Sequence, residues 1–414
     1  MTTGTTPQGL RYAVRRSGRA VAFCALTIGC GTRDEKGYPA GIAHFVEHTM
    51  FRGTRRKSAN VINGYLDKLG GELNAYTTKE EIVLHATVLK EDWKKAAGLL
   101  FELATEATFP EDEIETERGV VLDEIISYKD NPAEDVYDRF ETLLFEGSPL
   151  ETPILGTSAS VKKIKADMLR RFVKENFVPE KMVFSVVADV DERTLEKQVL
   201  KLTLPGREGA PCASQNKGQC YAQGASLPAG EPFHVTLDKH HHEVNAIMGC
   251  KAPSLYDMPE RLVCAMLSNI LGGPASNSLL NKELREKRGW VYGIECSYTQ
   301  YADTGILAIS FGCDRSNLED CEKAIDKILT RVREVPFTDA QVKAYRKQLL
   351  GQLAISSDAG EAQCLSMGKS MLSWGRIMTP EETRAAIEAI TPAQLKEMAQ
   401  KLFAPGNLSS LIYL

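Results

Sequence analysis

The chain has 414 residues, 43% of them hydrophobic and 25% charged, with a net charge of −5. Such a composition is that of an ordinary globular protein, and its mild acidity gives no cause to expect a nucleic-acid partner. No apolar run reaches the roughly 20 residues of a membrane span, and no secretory core follows the initiating Met. The length is about twice that of a usual domain, so two domains or one duplicated unit are expected.

At the N-terminus, Gly9–Val14 and Val21–Ile28 read as two strands joined by a basic turn, Arg15–Arg19. Arg11, Arg15, Arg16 and Arg19 lie upstream of the first acidic residue, Asp34, as in an organelle transit peptide. An early start to the fold leaves little to remove, and a cytoplasmic location is expected. The ten cysteines are scattered, mostly within apolar stretches and with no CxxC pair. That distribution suits buried, reduced thiols rather than a disulfide framework or a thiolate metal site.

Ala40–Arg52 has helical character, following Gly37-Tyr38-Pro39 and ending before Gly53. It contains His44-Phe45-Val46-Glu47-His48, which places both histidines one turn apart on one face with Glu47 beside them. Ile42, Ala43, Phe45, Val46, Met50 and Phe51 make the other faces apolar, so three polar groups ride on a buried helix and need partners. One zinc ion satisfies all three. Two neutral imidazoles supply adjacent corners of a tetrahedral site, zinc activates water, and Glu47 is placed to take the proton. HxxEH is the inverted zinc-peptidase motif. A bland reading also stands: two core histidines hydrogen-bonded to Glu47 or to backbone.

Leu73–Thr77 reads as a half-buried strand after the Gly70-Gly71 turn, Leu84–Val88 as another, and Glu91–Ala104 as a helix. A further helix, Glu111–Ser127, carries Glu117 and Glu124 on one face. The acids of its first turn, Glu111, Asp112 and Glu113, are explained by the helix dipole. Glu124 is not: it sits among Val120, Val121, Leu122, Ile125 and Ile126, where an unpaired carboxylate is costly. It is the best candidate for a third ligand.

The stretch from Leu204 to Gly230 is rich in Gly, Pro, Ala and Ser and has the character of a linker. It gives boundaries of 1–204 for an N-terminal zinc-binding domain, 205–230 for the linker and 231–414 for a C-terminal domain. Each half offers strands, a helix, strands and a run of helices, an α+β pattern. The segments 109–125 and 337–353 match at an offset of 228, and each follows a strand and a helix, Ile306–Ser310 and Leu318–Val332 in the second half. At that offset Glu117 falls opposite Tyr345 and Glu124 opposite Gln352, and nothing in the second half matches the HxxEH residues. A metal site therefore belongs to the first half. His240-His241-His242 is no second site, because neighbouring residues on a strand face opposite sides.

These residues resemble the pitrilysin-like zinc peptidases, inverzincins of peptidase family M16, and among them the short members related to mitochondrial processing peptidase. Gly41–Thr54 is similar to the family signature, and Glu124 stands 76 residues after His48, where that family places its third ligand, with Glu117 seven residues before it. The resemblance implies two homologous domains, each a mostly antiparallel sheet covered by helices. It implies a metalloendopeptidase with one zinc ion per chain held by His44, His48 and Glu124, with Glu47 as general base and Glu117 in support. Leu73–Thr77 resembles the active-site edge strand, on which a peptide adds through Asn74, Ala75, Tyr76 and Thr77. Glu283–Tyr292 resembles the segment in which Arg285 binds substrate and Tyr292 polarises the scissile carbonyl. One departure from the resemblance is Leu279, where relatives commonly carry arginine. Short relatives pair two chains around a closed chamber, so a homodimer, or a heterodimer with a related subunit, is implied, with Arg285 and Tyr292 serving either their own zinc or the partner's. Some members are non-catalytic scaffolds or peptide-binding partners, but these usually lose the ligand set that this chain retains.

Overall fold

The computed structural model describes residues 1–202 and 231–414, so the linker expected at 205–230 lies outside the described residues. The described chain forms two compact units. The first comprises Met1–Ile126, the described part of Thr152–Cys220, and Ile355–Met378; the second comprises Ser127–Glu151, the described part of Tyr221–Ala354, and Thr379–Leu414. Each half of the sequence thus contributes a segment to the unit built mainly by the other.

In chain order the first half forms β1 (Thr2–Thr5), β2 (Arg11–Arg16), β3 (Val21–Ile28), α1 (Ile42–Met50), β4 (Glu72–Thr77) and β5 (Ile82–Leu89). It continues through α2 (Trp93–Glu106), α3 (Glu111–Asp130), α4 (Pro132–Leu144) and β6 (Met182–Ala188). The first unit's sheet runs β1-β2-β6-β3-β5-β4, antiparallel except for the β2–β6 pair. The strands β2 and β3 are joined by the basic turn as expected, yet they do not pair: β6, buried along its whole length, lies between them. A strand covered on both faces reads as a continuous apolar run, and Met182-Val183-Phe184 begins one.

The second half supplies β7 (His234–Leu237), β8 (Val244–Ala252), α5 (Glu260–Gly272), β9 (Val291–Gln300) and β10 (Gly305–Cys313). It then forms α6 (Leu318–Glu334), α7 (Asp339–Asp358), α8 (Gly360–Trp374) and β11 (Ser409–Tyr413). The second unit's sheet runs β7-β11-β8-β10-β9 and is likewise antiparallel apart from β7–β11. Strand for strand this is the order β2-β6-β3-β5-β4, so the duplication extends to topology. The offset of 228 holds for the starts of α3 and α7, Glu111 and Asp339, and for those of α4 and α8, Pro132 and Gly360.

Each sheet is covered on both faces. In the first unit α1, α2 and α3 pack on one face around Phe45, Leu100, Phe101 and Phe184. Helix α8 packs on the other through Cys364, Met367 and Met371 against Ala25, Val83 and Val187. Gly368 allows the close approach: a Cβ there would collide with the Thr27 hydroxyl. In the second unit α4 fills the corresponding place, with Val136 and Phe140 against Ile247 and Leu411. Among the described residues no helix is long and apolar enough to cross a membrane.

Candidate metal centre

The helix α1 starts at Gly41, whose φ of 86° is left-handed and which offers no side-chain cap of its own. Glu35 caps it from a distance: one carboxylate oxygen accepts from the Gly41 N–H and the other from the Ala43 N–H, each at 2.9 Å. These are first-turn donors that the helix itself cannot satisfy. Ile42, Ala43, Phe45, Val46 and Met50 are fully buried, which fixes the helix's rotation and turns His44, Glu47 and His48 to the remaining face.

That face meets α3. The Glu124 Oε2 lies 3.3 Å from His48 Nε2 and 3.7 Å from His44 Nε2. The three ligand atoms fall within 4.8 Å of one another. Zinc bonds of ~2.0–2.1 Å at tetrahedral angles place ligand atoms ~3.3 Å apart, so the spacing fits. The chemistry fits as well. Glu124 Oε2 is a buried oxygen with no hydrogen-bond partner, and it points between two imidazole nitrogens. Burial and the neighbouring His48 hold His44 well below the ordinary histidine range, against Glu124, and so favour the neutral imidazole that a metal requires. His48 and His44 hold the Glu124 carboxyl below its ordinary value, although burial opposes them.

Glu117 stands behind His48, not among the ligand atoms. Its Oε2 lies 3.0 Å from His48 Nδ1 and its Oε1 is paired with Arg52, while only 2% of the residue is exposed. A carboxylate at Nδ1 leaves Nε2 as the free donor and fixes the ring. Burial pulls His48 down, but Glu124, Glu117 and Glu47 together raise it above its ordinary value. Glu117→Gln is expected to weaken zinc binding by about 10–100-fold, measured by competition with a chelator; unchanged affinity would show that Glu117 has no hold on His48.

Glu47 lies on the same face of α1, half-buried, and the Thr77 hydroxyl donates to its Oε2 at 2.9 Å. Burial raises its carboxyl, while Thr77 and His48 pull it down. Thr77 ends β4, the edge strand of the first sheet. Leu73 and Ala75 pack on the same core as α1, whereas Tyr76 faces the other side, toward α8, its ring 6.1 Å from that of His85. Asn74 is in register with His85. Of the four strand residues expected at the substrate, Thr77 is the one whose side chain is bonded to the metal-centre residues.

Arg285 and Tyr292 belong to the second unit. Arg285 lines a cleft of about 720 Å³ beside the edge strand β9, together with Gly273, Asn281 and Glu295. Tyr292 on β9 is 55% exposed and its hydroxyl donates to Asp314 at 2.7 Å, which raises the phenol above its ordinary value. Leu279 packs against the second unit's core. The topological counterpart of the metal face is polar but neutral: Asn269 on α5 donates to Gln352 on α7 at 2.8 Å. His240 is held by an exposed contact with Asp238. Sequence reasoning missed Glu35 and Arg52. Arg52 could have been found from its place one turn beyond His48, opposite the acidic face of α3.

Fold and site define a class: a duplicated α+β protein whose first unit presents a His-His-Glu group spaced to hold a metal ion, with a further glutamate alongside. Residues 11–158 match the model for insulinase (peptidase family M16), and residues 163–349 match that for the peptidase M16 inactive domain. The chain is 30% identical over 410 residues to an uncharacterized zinc protease of Streptomyces coelicolor, covering 99% of this chain and 88% of that protein. It is 28% identical to an uncharacterized zinc protease of Bacillus subtilis, covering 99% and 97%. Its fold is similar to the crystal structure of a protease from Helicobacter pylori, with a TM-score of 0.89 at 18% identity over 100% of this chain and 98% of that one. The chain belongs to peptidase family M16. The inactive-domain match falls largely on the half that lacks ligands.

Proposed function

We propose that the protein is a zinc-dependent endopeptidase that hydrolyses peptides or unfolded polypeptide segments bound as an extended strand. The observation that carries this reading is the convergence of His44, His48 and Glu124, with Glu47 on the same helix face but bonded to Thr77 and outside the ligand set. A bound zinc ion supplies Lewis acidity toward water and a peptide carbonyl. The protein's own residues do the rest. His44, His48 and Glu124 hold the ion, and Glu117 orients His48. Glu47, with Oε2 occupied by Thr77, has Oε1 to take a proton from water and return it to the leaving amine.

Among the described residues β4 pairs only with β5, so its outer edge offers backbone donors and acceptors to one more strand. An unfolded segment satisfies them and a folded surface does not. Tyr292 and Arg285 are taken as further substrate contacts, and a pair of chains, two copies or one with a related subunit, as the enclosing chamber. The eight described cysteines are all free and buried, which supports a reducing, cytoplasmic setting.

Removing zinc with a chelator is expected to abolish cleavage of an unfolded polypeptide, and adding zinc back to restore it. Cleavage by metal-free protein would sink the mechanism. Zinc-loaded wild type that binds peptides but leaves them whole would point to a non-catalytic, peptide-binding member.

A further inference from the structure

We infer that Thr77 is a positioning residue, which fixes the Glu47 carboxylate from the end of the edge strand and so ties the position of β4 to the proton acceptor. This inference rests on the peptidase reading for its functional consequence, but not for the contact itself. Among the described residues, the Thr77 hydroxyl is the one hydrogen-bond donor on the Glu47 carboxylate, at 2.9 Å from Oε2. Glutamate has three rotatable bonds, and Glu47 is half-buried with the like-charged Glu124 nearby, which disfavours its charged form. Without a donor on one oxygen, the carboxylate has no reason to keep the orientation that a proton acceptor needs.

The hydroxyl is well placed to impose one because Thr77 itself is held firmly. It is in register with Ile82 across the turn to β5. In that turn the Thr78 N–H donates to the Glu81 carbonyl at 2.8 Å, and the Thr78 hydroxyl accepts from the Glu80 and Glu81 N–H groups. The carbonyls of Thr78 and Lys79 accept from the N–H groups of Thr32 and Arg33, in the segment that ends at Glu35, the cap of α1. Both ends of the Thr77–Glu47 bond are thus tied to one backbone scaffold. The alternation of the strand completes the case. Leu73 and Ala75 share Thr77's face and pack toward the core of α1, so the hydroxyl points at Glu47 while, among the described residues, no strand pairs with the outer backbone edge of β4. A peptide added there would brace β4 and, through Thr77, the acceptor. Threonine's oxygen supplies the link and its methyl does not.

A substrate contact and a positioning role separate in kinetics, because the first raises KM and the second lowers kcat. The test compares T77V, which keeps the shape and removes the hydroxyl, with T77S, which keeps the hydroxyl, in zinc-loaded protein on an unfolded polypeptide. T77V is expected to lose about 10–100-fold in kcat with KM within about twofold, zinc stoichiometry unchanged, and T77S restoring most of the rate. Unchanged kcat in T77V, a loss carried by KM, or T77S as slow as T77V would overturn the inference. A second measurement needs no activity: thermal midpoints of metal-free wild type, T77V, E47L and the double variant. The midpoint loss caused by T77V should vanish in the E47L background, and an equal loss in both backgrounds rules out the contact. Should wild type and E47Q cleave alike, the peptidase reading is what fails, and the midpoint cycle alone decides Thr77.

Discussion

Glu47→Gln is expected to lower kcat for peptide hydrolysis by about 10²–10⁴-fold, the usual weight of a positioned general base, while zinc stays bound at wild-type stoichiometry. The two halves of this expectation come from different atoms. The ligand atoms belong to His44, His48 and Glu124, and Glu47 is not among them, so replacing its charged oxygen leaves the ion's donors in place. The amide is the same size, and its carbonyl oxygen still accepts the Thr77 hydroxyl. What is lost is the capacity to take a proton. Burial already raises the Glu47 carboxyl, so a neutral side chain removes a charge that the fold accommodates at a cost. Metal-free Glu47→Gln should therefore unfold at a temperature no lower than wild type. Metal analysis beside steady-state kinetics checks the pair of claims. Loss of zinc would make Glu47 a ligand, and retained turnover would remove it as the base.

How much of this could be read before the fold was seen depends on whether the cause is local. His44, Glu47 and His48 are legible because a helix of period 3.6 converts a five-residue string into a face, and Ile42, Phe45 and Val46 declare the opposite face buried. Glu124 is legible for the same reason, as a carboxylate on the helix face of Glu117, seven positions away, although its apolar neighbours Val120 and Ile126 are exposed. The silent second half is legible because a duplication supplies an internal control, Gln352 opposite Glu124. Three features have no local signature. The insertion of β6 between β2 and β3 is a pairing over some 160 residues, which no alternation pattern encodes. The reciprocal placement of α4 and α8 depends on which sheet each helix finds, not on its own sequence. Tyr76 lies on a correctly expected strand, yet its ring faces away from the metal side, because a strand's register decides face by single residues.

Glu35 is the clearest case of a site residue hidden from the sequence, since in Thr32-Arg33-Asp34-Glu35-Lys36 it is one charge in a charged loop. It is 7% exposed, and its carboxylate is the remote cap of the metal helix. Glu35→Ala is expected to lower the stability of the first unit by roughly 2–6 kcal/mol, because two buried N–H groups lose their acceptors at about 1–3 kcal/mol each. Ala43 precedes His44, so a loosened first turn should also weaken zinc binding. Glu35→Gln keeps an acceptor and separates capping from charge. Burial pushes the Glu35 carboxyl from its ordinary 4.5 up to about 8, with the Ala43 and Gly41 N–H groups and Lys79 pulling the other way. A carboxyl that gains affinity for a proton on folding contributes most to stability below about pH 4.5, and that contribution is lost as the pH rises through about 8. Wild type should therefore lose stability across this window relative to Glu35→Gln, which cannot titrate. Thermal midpoints of the two metal-free proteins at pH 5, 7 and 8.5, expressed as their difference, read the effect directly. A difference that does not change with pH would place Glu35 in the ordinary carboxylate range, and wild-type stability in Glu35→Ala would show that α1 needs no remote cap.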